Sequence, residues 1–169
     1  MEQKSNQKKK YKVGMYGGKF MPFHKGHLHC VEYAASQCEQ LYVLLFVGGD
    51  EELAILKTRH ENWLQPNSRL KHIKKACKQF DNVIVKQVDI TDCKYPDGTE
   101  NWDMETERVL SICGPLDAVY GSEPHYGDYF KRAYPNATFE VIDKDRKAVP
   151  ISGTMVRSMN EEERKKWIV

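Results

Sequence analysis

The chain has 169 residues, enough for one sheet with helices on both faces and too few for a further catalytic domain. Lysine and arginine number 26 against 24 aspartates and glutamates, a net charge of +2, which describes a solvated surface of mixed sign and argues against a dedicated nucleic-acid binder. No apolar stretch approaches the ~18–20 residues of a membrane span. The five cysteines, Cys30, Cys38, Cys77, Cys93 and Cys113, include no C-x-x-C pair, so neither a disulfide framework nor a zinc ribbon is expected and a reducing cytoplasm is the natural compartment.

Residues 1–10 are polar and carry Lys8, Lys9 and Lys10; they read as a disordered lead-in to a single domain over 11–169. A first strand runs from about Tyr11 to Tyr16 and breaks into Gly17-Gly18-Lys19 and a proline-containing loop. A helix follows over about Gly26 to Cys38, with Leu28, Val31, Ala35 and Cys38 at helical spacing. Leu41 to Val47 is apolar throughout and bounded by Gly48-Gly49, the pattern of a strand buried on both faces of a parallel sheet. The mixed stretch Asp50 to Gln65 reads as a loop with some helix that covers the site.

Pro66-Asn67-Ser68 then starts a helix with Leu70, Ile73, Cys77 and Phe80 on one side and Lys71, Lys74, Lys75 and Lys78 on a solvated side. A third strand is expected over Asn82 to Val88, followed by a polar loop with Pro96-Asp97-Gly98 as turn chemistry. Asn101 can cap a helix that begins at Trp102, with Asp103 and Glu105 near its positive end. Leu116 to Tyr120 and Thr138 to Ile142 complete the strands, separated by a helix opening at Pro124. Strand and helix alternate throughout, so the expected fold class is α/β, a Rossmann-like doubly wound five-stranded parallel sheet with helices on both faces. Ligands in such sheets lie beyond the carboxyl ends of the strands. Gly17 to His27, Gly48 to Asp50 and Gly121 to Glu123 all follow strands directly.

Two stretches carry the chemistry of anion binding. Adjacent glycines at a strand end allow main-chain N–H groups close to a phosphate, Lys19 adds a full positive charge, and His24 and His27 share the first helical turn. Far downstream, Ser152-Gly153-Thr154 can open a helix with Arg157 one turn on. A zinc site from His24, His27 and His29 lacks an evident fourth ligand, and no metal cage is expected. Alone, each of these features has a plainer reading as a helix cap, a turn or a surface charge.

Together, Gly17-Gly18-Lys19-Phe20, His24-x-Gly26-His27 and Ile151-Ser152-Gly153-Thr154-x-x-Arg157 resemble the HxGH nucleotidyltransferase superfamily, and most of all the nicotinamide mononucleotide (NMN) adenylyltransferase domain of NadR-type proteins. The likeness runs from about Val13 to the C-terminus. It implies transfer of AMP from ATP to NMN, giving NAD and pyrophosphate, with Mg²⁺ arriving with ATP. By the same resemblance Gly17, Gly18 and Phe20 offer main-chain contacts to the phosphates, and Lys19, His24, His27 and Arg157 stabilise the transferring group. Ser152, Gly153 and Thr154 hold the distal phosphates, and Ser122 and Glu123 reach the ATP ribose or base. Trp102 would stack on nicotinamide, Arg69 would meet the acceptor phosphate, and Asp50 belongs to the acceptor side. The expected partners are therefore these small molecules, with no nucleic acid and no membrane, and a homo-oligomer left open. Rival readings are another acceptor, such as pantetheine phosphate, a cytidylyltransferase, or an idle nucleotide-binding module. The DNA-binding and kinase parts of NadR-type proteins are not expected here, so neither repression nor ribosylnicotinamide phosphorylation is carried over.

Overall fold

The architecture follows from the apolar run that forms the second strand. In a strand successive side chains point to opposite faces, so an unbroken apolar run requires cover on both. A computed structural model, which describes residues 8–122, 124–143 and 146–169, shows that cover. The strands are β1 (Tyr11–Gly18), β2 (Cys38–Val47), β3 (Val83–Asp89), β4 (Ala118–Gly121) and β5 (Thr138–Val141), all parallel in the order β3-β2-β1-β4-β5. Leu41, Val43, Leu45 and Val47 of β2 join one core with helices α1 (Lys25–Gln37) and α3 (Pro66–Cys77). Leu44 joins the opposite core, and Tyr42 and Phe46 pack against it, with α4 (Trp102–Cys113) and α5 (Gly127–Ala133). Each fully buried Leu or Val contributes about 1.5–3 kcal/mol relative to exposure, so β2 anchors both layers.

Element ends moved by a residue or two from the sequence pattern, and three differences matter. Cys38 leaves α1 and begins β2, because its backbone is extended (φ −119°, ψ 145°) and continues into the β1–β2 ladder. The ambiguous stretch after β2 holds a regular helix, α2 (Asp50–Thr58), opened by three acidic residues that favour its positive end, and then a 3₁₀ turn at Asn62–Leu64. Pro124 opens a 3₁₀ turn, Pro124–Tyr126, rather than the α-helix itself, which starts at Gly127.

Past β5 the chain returns to the carboxyl ends of the strands through two short helices, α6 (Gly153–Arg157) and α7 (Glu161–Arg164). Its last residues then reach the start of α1. Lys25 N–H donates to the Trp167 carbonyl at 2.8 Å, and His24 and Ile168 form an antiparallel bridge. The strand order reverses its direction between β1 and β4. This is where a doubly wound sheet opens a crevice.

Candidate functional site

A cavity of about 810 Å³ lies over that switch point, and its walls come from the ends of β1, β2 and β4 and from α1, α2, α4, α5 and α6. Its chemistry starts with helix capping. The His24 backbone is extended, and its Nδ1 accepts from the N–H groups of Gly26 (3.1 Å) and His27 (3.4 Å), while His27 Nδ1 accepts from the His24 N–H (3.1 Å). Two histidines thus build a reciprocal capping box, work more often done by Ser or Thr with Glu. Gly26 is required between them, since a Cβ there would come within 2.9 Å of the His24 ring.

The capping assigns the tautomers. A neutral imidazole whose Nδ1 accepts must carry its proton on Nε2, so both rings turn an N–H donor away from the backbone. The rings stack with centroids 3.7 Å apart and both line the cavity. His24 Nε2 is buried with no hydrogen-bond partner among the described residues. Burial is the main cause that lowers the His24 pKa to about 4, with Arg146 adding to it; burial likewise holds His27 well below its ordinary value, helped by His24, Arg146 and Lys19. Both rings are therefore neutral at pH 7, and an unpaired donor in a buried wall requires an acceptor.

The acceptor's charge is indicated by the neighbours. Lys19, Arg146 and Arg157 line the same end of the cavity. Lys19 pairs with Glu51 at the start of α2, which lowers the Glu51 pKa, and Glu51 is largely exposed. Arg157 donates to the Met21 carbonyl at 2.8 Å and to Thr154 Oγ1 at 3.3 Å, tying α6 to the loop after β1. Ser152 caps α6 by accepting from the Met155 N–H, and Gly153 passes close to the Met21 carbonyl and the Arg157 guanidinium. Gly17, Gly18, Phe20, Ser152, Gly153 and Thr154 all line the cavity, so the two anion stretches, separated by more than a hundred residues of chain, share one wall. Phe20 sits in the left-handed region (φ 46°) with its ring edge-on to His27 at 4.8 Å.

Two expected acceptor ligands belong elsewhere. Arg69 is 1% exposed, pairs with Glu52, which is also buried, and donates to the carbonyls of Lys19 and Leu64. Glu52 in turn accepts from the Gly48 N–H. Desolvating a guanidinium demands a carboxylate and carbonyls around it, and this one is a strut beneath the glycine loop rather than a group in the cavity. Asp50 is likewise absent from the lining, because Lys94 holds its carboxylate on the outer surface. Glu123 lies outside the described residues, whereas Ser122 lines the cavity beside Cys30, with Oγ and Sγ 3.6 Å apart.

The far end is aromatic and acidic. Trp102 is 38% exposed, so it opens α4 into the cavity rather than packing in the core, and it meets Tyr126 at 5.6 Å and Tyr129 edge-on at 5.1 Å. Tyr129 is oriented by hydrogen bonds with Thr106 Oγ1 (2.7 Å) and Asp103 (3.1 Å). Glu105, one helical turn from Trp102, also lines this end; burial, and then Glu100, raise its pKa to about 7. Arg146, Glu105, Tyr126 and Tyr129 were not singled out for the site from the sequence. Arg146 had a usable signal, a cation in the loop after a strand end, and Tyr126, Tyr129 and Phe130 had another, aromatic residues at helical spacing after β4.

A cytidylyltransferase-like family model matches residues 15–159, and the chain belongs to that family. It is 29% identical over 111 residues to a nicotinamide-nucleotide adenylyltransferase of Halobacterium salinarum (66% of this chain, 55% of the relative). It is also 29% identical over 153 residues to the phosphopantetheine adenylyltransferase of Mycoplasma capricolum (88% of this chain, 96% of the relative). Among solved structures, a NadR protein in complex with NR superposes with a TM-score of 0.66 at 21% identity, over 95% of this chain and 43% of that one. The chain thus spans about half the length of the first and third of these proteins, and it shares its fold with the adenylyltransferase-sized part of the third.

Proposed function

We propose that this member of the cytidylyltransferase-like family is an adenylyltransferase that joins ATP and NMN to give NAD and pyrophosphate. The observation that carries the proposal is one cavity with two chemically opposite ends: neutral histidine donors with Lys19, Arg146 and Arg157 at one, Trp102, Tyr126, Tyr129 and Glu105 at the other. A triphosphate suits the first and a flat cationic pyridinium ring suits the second, through stacking and cation–π attraction.

In this reading an oxygen of the NMN phosphate attacks the ATP α-phosphorus in line, a new P–O bond forms and the bond to the β-phosphate breaks, so that pyrophosphate leaves. The acceptor phosphate, with a second pKa near ~6, is already largely ionised at neutral pH and needs no general base. The work is then positioning and charge stabilisation. His24 and His27 donate Nε2–H to oxygens on which negative charge accumulates; their donors are fixed by capping before substrate arrives and cost no reorganisation at the moment of reaction. Lys19 exchanges its Glu51 partner for the α- and β-phosphates, and Ser152, Thr154 and Arg157 take the distal ones. The donor set around this end suits phosphate oxygens, which leaves Mg²⁺ to be held by the triphosphate and water, where it would neutralise the departing charge.

The test is to incubate the protein with Mg-ATP and NMN and to measure NAD and pyrophosphate together. A second reading, transfer to 4′-phosphopantetheine, draws on the Mycoplasma relative that the chain matches over nearly its whole length. Pyrophosphate release with that acceptor and none with NMN would replace the proposal by it.

A further inference from the structure

Three carboxylates neighbour one another at or just outside the acceptor end, and two of them are engaged. Asp50 is paired with Lys94, and Glu100 accepts from the Asp50 N–H at 3.2 Å, at the positive end of α2. Glu105 differs. Its Oε2 is buried with no hydrogen-bond partner among the described residues, although the side chain lines the cavity one turn along α4 from Trp102. A ring stacked on Trp102 would bring its substituent to this part of the wall. A buried acceptor oxygen left unmade in the free protein favours a ligand that donates to it and penalises one that presents an acceptor.

Resting on the NMN reading, we infer that Glu105 selects the carboxamide of nicotinamide mononucleotide over the carboxylate of nicotinate mononucleotide. The carboxamide N–H donates to Oε2, and the carboxylate would set two like charges against each other in a desolvated pocket. The two acceptors have the same ribose phosphate and the same pyridinium charge and differ in the ring substituent, the part that this contact reads. Specificity that depends on hydrogen-bonding a donor is steep, because the wrong ligand leaves the buried group unpaired.

The charge of Glu105 then controls the discrimination. The groups that act on it or respond to it are Glu100 and Lys94 from the loop before α4, Asp50 from α2, Cys93, and Tyr129 and Tyr134 around α5. Burial leads, and its effect together with Glu100 outweighs Lys94, so the carboxyl ionises at about pH 7 instead of in the ordinary carboxylate range. Below that pH a protonated Glu105 donates to the nicotinate carboxylate and tolerates it; above it, the carboxylate is refused. The acceptor phosphates titrate alike in both substrates and cancel in the ratio.

The experiment measures kcat/KM for both mononucleotides with saturating Mg-ATP, from pH 6 to pH 8.5, in the wild-type protein and in Glu105→Gln. The wild type should prefer nicotinamide mononucleotide, by a ratio that rises about tenfold or more over this range, as expected for ionisation of a single carboxyl group that tunes one hydrogen bond. Glu105→Gln, whose amide both donates and accepts, should flatten the pH dependence and reduce the ratio about tenfold, chiefly by lowering the KM for nicotinate mononucleotide, with the KM for ATP unchanged. The wild-type pH series stands without the variant should the variant fold poorly. A preference that is flat with pH, unchanged by Glu105→Gln, or inverted toward nicotinate overturns the inference and leaves the NMN reading in place. Turnover of 4′-phosphopantetheine with neither mononucleotide used overturns both.

Discussion

The two ends of the cavity hold their functional groups in opposite ways. At the phosphate end almost every group is engaged by its neighbours before any substrate is present: His24 and His27 cap each other, Arg157 holds Met21 and Thr154, and Lys19 holds Glu51. At the acceptor end Trp102 is exposed, and Glu105 Oε2 is buried with no hydrogen-bond partner among the described residues. The first is preorganised by contacts that its groups already make, within the α1 turn and between α6 and the loop after β1, and suits a transition state whose charge is the same for every acceptor. The second keeps an aromatic face and a carboxyl group for the ligand and suits the choice of one acceptor.

The strut beneath the phosphate end offers the largest effect. Arg69→Ala would strand Glu52 as an uncompensated buried charge and release the Lys19 carbonyl, and should cost about 3–5 kcal/mol in urea unfolding. A smaller loss, on a scale of surface pairs, would mean that Arg69 does not support the loop.

Next comes the pH dependence of stability. The folded His24 pKa of about 4 lies below its ordinary value of 6.5, so folding favours the neutral ring. That contribution is complete above pH 6.5 and is lost as pH falls through 4, by as much as about 3 kcal/mol. Thermal unfolding should fall accordingly over this window, and His24→Asn, which keeps a capping oxygen and does not titrate, should show a shallower slope.

His27→Ala should lower kcat about a hundredfold, the scale of one lost transition-state donor, in a protein that remains folded by circular dichroism. Near-normal turnover in the folded variant would break the assignment of this end to catalysis. Trp102→Ala should raise the KM for NMN about tenfold, from ~1–2 kcal/mol of lost stacking, with the KM for ATP little changed. Because Trp102 is 38% exposed, it should also leave thermal stability close to wild type. Equal effects on both KM values would erase the division of the cavity into two ends.

What the sequence by itself determined is what short-range physics decides. The apolar run of β2 demanded cover on both faces, Asn101 capped α4 as its side chain allows, and the strand, glycine loop and histidine turn followed one another within a few residues. Even α2 was half legible, its acidic start being a helix signal in a stretch without a clean apolar period. Only the tertiary structure decided which of two plausible arginines faces the cavity. Arg69 and Arg157 each sit on a helix near the site in sequence terms, yet Glu52, arriving from α2, holds one in the interior, while α6 folds back to present the other. The same holds for Glu105, which by position is a favourable charge in the first turn of α4 and whose Oε2 is left without a partner among the described residues because α2, the loop before α4 and α5 close around it. Burial and partnership are sums over elements distant along the chain, and no local pattern of residues contains them.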